Sequence, residues 1–82
     1  MNNLEDFRNA CRALLANKDK PALNYAVGYA REGLGMTDPE AVRVQCLYIL
    51  NNMSGWRGDI ATECRITFKR LSSQKAWTGV AA

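Results

Sequence analysis

Cys11, Cys46 and Cys64 are the chain's candidate nucleophiles and its candidate soft metal ligands. A thiol nucleophile needs a base beside it, most often histidine, and the sequence contains no histidine. A zinc site would have to recruit all three cysteines and a carboxylate, with no closely spaced ligand pair to preorganise it. An odd number of widely separated cysteines is also a poor disulfide framework. Each cysteine falls on an apolar helical stripe, where a thiol packs as a small hydrophobic group and a reactive thiolate is disfavoured. No metal site and no cofactor site are expected.

The acids offer no better chemistry. Glu5, Asp6, Asp38, Glu40 and Asp59 lie where helices are predicted to start, and the positive end of a helix dipole accounts for acids there. Asp19, Glu32 and Glu63 remain, at spacings that pair none of them. Gly33-Leu34-Gly35 is too short to cradle a phosphate and reads as a helix stop. The sequence therefore predicts no catalytic residues, and the chain is read as a non-enzyme.

Two surfaces are left that could bind something. Arg65, Lys69 and Arg70 cluster on the last predicted helix, with Arg57 before it and Lys75 after it. Such cations could contact phosphates, and an indole could stack on an unpaired base. Specific DNA reading is disfavoured, because the helix begins Asp59-Ile60-Ala61-Thr62-Glu63 and its acids would repel the backbone. The other surface is aromatic. Tyr25 and Tyr29 are one helical turn apart, off the apolar stripe of their helix. They either pack against a neighbouring helix or form a ridge of the kind enriched at protein interfaces. Trp56 and Arg57, in a glycine-flanked turn, either staple the start of the last helix or stand out as an anchor, and Trp77 in the tail covers a core edge or joins a contact.

Four helices must position these groups. The first is predicted over 3–17, where Leu4, Phe7, Cys11, Leu14 and Leu15 recur at helical spacing behind an Asn2–Glu5 capping pair. A second, over 20–34, opens at Pro21 and carries the stripe Leu23, Val27, Ala30 and Leu34, with Gly28 predicted to mark a tight helix crossing. The third runs to about Met53 from Thr37-Asp38-Pro39-Glu40, a capping-box pattern. It carries Val42, Cys46, Ile49 and Met53 on one side, with Ala41, Val44, Leu47, Tyr48 and Leu50 extending apolar character round much of the circumference. A helix apolar on two sides should be covered on two sides, so helix 3 is the expected central element. The fourth, over 59–71, directs Ile60, Cys64, Phe68 and Leu71 inward.

Short connections make sequential helices antiparallel. The expected fold is all-α: a compact four-helix domain over residues 1–71, built from two antiparallel helical hairpins, with a tail over 72–82 that frays unless Trp77 docks. Each hairpin spans about 34 residues, the period of tetratricopeptide-type repeats, but Trp56 falls in a turn and the small-residue positions do not register. No apolar run approaches a membrane span, and the N-terminal residues lack a basic region followed by an apolar one, so a cytoplasmic location is expected. Charge is uneven: residues 1–41 hold five bases and six acids, residues 42–82 six bases and two acids.

The functional expectation is a small non-enzymatic helical interaction module that binds another protein or itself, as an accessory protein of a phage or mobile element does. Its contact residues are Tyr25, Tyr29, Trp56, Arg57 and Trp77, with a homodimer as one form. The alternative is a weak, non-specific nucleic-acid binder using Arg65, Lys69 and Arg70. Neither a membrane nor a small-molecule substrate is implied.

Overall fold

A computed structural model describes residues 2–77. Helices α1 (Asn3–Ala16), α2 (Asn24–Gly33), α3 (Pro39–Asn51) and α4 (Asp59–Leu71) are joined by short connections, with single 3-10 turns at Pro21–Leu23 and Gln74–Ala76. Among the described residues there is no strand, and no helix is long and apolar enough to cross a membrane.

Each helix start has a local cause. The Asn2 side chain accepts the Glu5 N–H, and the Asp38 carboxylate accepts the Ala41 N–H, so both ends satisfy one orphan donor. Asp38 is the cap of α3, Pro39 follows it, and Glu40 turns away to Arg43, so the expected reciprocal capping box does not form. Gly58 precedes α4 at φ 114°, a conformation that only glycine adopts without strain. The predicted start of α2 at Lys20 is corrected. Leu23 N–H bonds back three residues to Lys20, and this tighter turn sends Leu23 fully into the core before α2 begins at Asn24.

The four helices close a ring in which each packs on its sequence neighbours and α1 packs on α4. Arg8 near the start of α1 donates to the Met36 carbonyl beyond the end of α2, and Arg43 near the start of α3 reaches the Ser72 carbonyl beyond the end of α4. Both hairpins are therefore antiparallel. Helix α3 lies between α2 and α4, and α1 shares that position from the opposite side.

Phe7, Cys11 and Leu14 of α1 meet Ala26 and Ala30 of α2, Val42, Cys46 and Ile49 of α3, and Cys64, Phe68 and Leu71 of α4. The rings of Phe7 and Phe68 meet edge to face, 6.1 Å between centroids. Gln45 is the buried polar side chain among the described residues, and its amide donates to the Tyr29 carbonyl at 2.9 Å, tying α3 to α2. Ile60, expected inward, stands half exposed at the edge between α1 and α4.

The close helix approach sits at a different glycine from the one predicted. A Cβ on Gly33 would lie 2.8 Å from the Phe7 ring, so α1 and α2 meet there. A Cβ on Gly28 would meet nothing within 4 Å.

A candidate interaction face on α2 and α3

The cysteines come first among the groups that could do chemistry. All three thiols are buried and free. Burial pushes Cys11 up to about 12, reinforced by the nearby Cys64 thiol, and burial with the proximity of Cys11 does the same to Cys46. Cys64 is raised by burial and by Glu63, and its thiol points at the Ala10 carbonyl, 3.7 Å away. Each is a protonated packing group at neutral pH. Among the described residues no three potential ligands gather at one point. Glu40 is held below the ordinary carboxyl range by its hydrogen bonds from Arg43.

The structure separates the predicted contact residues. Trp56 is 3% exposed and belongs to the core, which corrects its reading as an exposed anchor. The apolar gain of enclosing an indole outweighs presenting it in a turn. Arg57, next in sequence, is exposed at that end of the bundle. Trp77 lies at the opposite end, half-buried beside Pro39, with its indole N–H donating to the Leu71 carbonyl at 2.9 Å. It staples the chain after α4 to the bundle rather than joining the tyrosines. Residues 78–82, the rest of the predicted tail, lie outside the described residues.

The cations of α4 do not form an open patch. Arg65 donates to the carbonyls of Met53 and Trp56, and Arg70 binds Asn3 and the Asp6 carboxylate. Lys69 is exposed, and its main-chain carbonyl accepts the Ser72 hydroxyl at 2.8 Å.

Tyr25 and Tyr29 lie one turn apart on α2, and Tyr29 meets a ring from α3. Tyr25 is 78% exposed. Tyr29, half-buried, stacks on Tyr48 of α3 with centroids 5.4 Å apart and planes at 25°. Val44, Leu47 and Tyr48 fall on one stripe of α3, and Leu47 and Tyr48 remain 41% and 48% exposed. The second apolar side of α3, expected to be covered, is thus uncovered in the single chain. Sequence reasoning did not single out Leu47 and Tyr48 as exposed, although the apolar excess of helix 3 was the signal for them. The charges carried by α2 and α3 are Arg31, Glu32, Glu40 and Arg43, two of each sign, and the last two pair with each other.

Comparison with protein-family models, with curated proteins and with solved structures finds no match.

Proposed function

We propose that this chain is a non-enzymatic protein-interaction module whose contact surface is the outer side of α2 and α3. The observation that carries this reading is the set of uncharged side chains on two adjacent helices, Tyr25, Leu47 and Tyr48 exposed and Tyr29 half-buried against Tyr48. Tyrosines give large contact area with few torsions to immobilise, and the Tyr29–Tyr48 stack already fixes two of the rings. The absence of charge within the cluster suits a protein surface better than a phosphate backbone or an anionic bilayer.

Photo-crosslinking in cells tests the reading. A photoreactive residue is placed at Tyr48, and separately at Ile66, which is 63% exposed on α4 away from this face. Protein adducts from position 48 well above those from position 66 support the proposal. Equal or absent adducts at position 48 reject it.

A further inference from the structure

We draw no further inference here: the strongest candidate, the groove between α1 and α4 lined by Ala10, Ala13, Ile60 and Cys64 together with Asp6 and Glu63, carries nothing, because Asp6 is already paired with Arg70 and nothing in the structure shows what covers it.

Discussion

The guanidinium of Arg65 on α4 donates to the main-chain carbonyl of Trp56 at 2.8 Å, and the same nitrogen reaches the Met53 carbonyl at 3.2 Å. One side chain thus bonds two acceptors in the turn that leaves α3. The charge has a structural partner in the backbone of that turn.

Removing that clamp is expected to loosen the α3–α4 turn. Arg65→Ala should destabilise the fold by about 2 kcal/mol, the scale for hydrogen bonds from a charged donor. That corresponds to a thermal midpoint lower by roughly 10 °C for a domain of this size. Arg65→Lys, with one compact donor head, should recover only part of the loss. An unchanged midpoint in Arg65→Ala would show the clamp to be ornamental.

Trp56 and Tyr25 should respond to truncation in opposite ways. Trp56→Ala empties a core site and is expected to cost about 3–5 kcal/mol, seen in urea unfolding. Tyr25→Ala is expected to stay within about 0.5 kcal/mol of the wild type. If the two losses are alike, the placement of one of the two side chains is wrong.

The glycines of α2 give a paired prediction. Gly28→Ala should raise stability by about 0.5–1 kcal/mol, because the helix gains propensity and the methyl group meets nothing. Gly33→Ala should lower it by about 1–3 kcal/mol, because its methyl group would stand 2.8 Å from the Phe7 ring and 3.3 Å from the Cys11 sulfur. Calorimetry on both variants reads the signs directly, and a destabilised Gly28→Ala variant contradicts the open space at that position.

These variants also mark where sequence patterning reached its limit. The stripe of α1, the inward face of α3, that of α4 apart from Ile60, and the cap at Asn2 follow from side-chain type and spacing, since helical periodicity and capping are local, while α3 is capped by Asp38 without the expected box. The job of each glycine is not local. Gly28 and Gly33 are identical as letters, and only the path of α1 decides which one Phe7 crosses. Trp56 and Arg65 were assigned to different surfaces because a turn and a helix are distant in pattern, yet a hydrogen bond joins them. Tyr48 looked like surplus core until the ring of four helices left its side of α3 uncovered.

Alkaline pH should weaken the fold through its thiols. Cys11 and Cys46 are raised from the ordinary value of 9.0 to about 12 in the folded chain. An acid with a raised folded pKa is protonated when folded and ionised when unfolded between those values. Its contribution is therefore complete below about pH 9 and is lost as pH climbs toward 12, at about 1.4 kcal/mol per pH unit per thiol. The urea midpoint should fall between pH 8 and pH 10.5, and Cys11→Ala and Cys46→Ala should each flatten the decline. A midpoint independent of pH over that range would contradict the burial of both groups.

The hydrogen bond from Asn3 Nδ2 to the Ala76 carbonyl, 2.7 Å long across 73 positions, brings the two ends of the described segment together, and the Arg70–Asp6 pair stands beside it. The path of the chain is a closed circuit. A surface turn of a host protein can accept such a unit without parting its own flanks, and a circular permutant opened between Ser54 and Gly55 keeps all four helices whole. The same circuit sets the order of assembly during synthesis. Helix α1 leaves the ribosome first, yet the side it turns to α4 stays bare until the last helix emerges, so the longest-range contact in the domain is also the one that completes it.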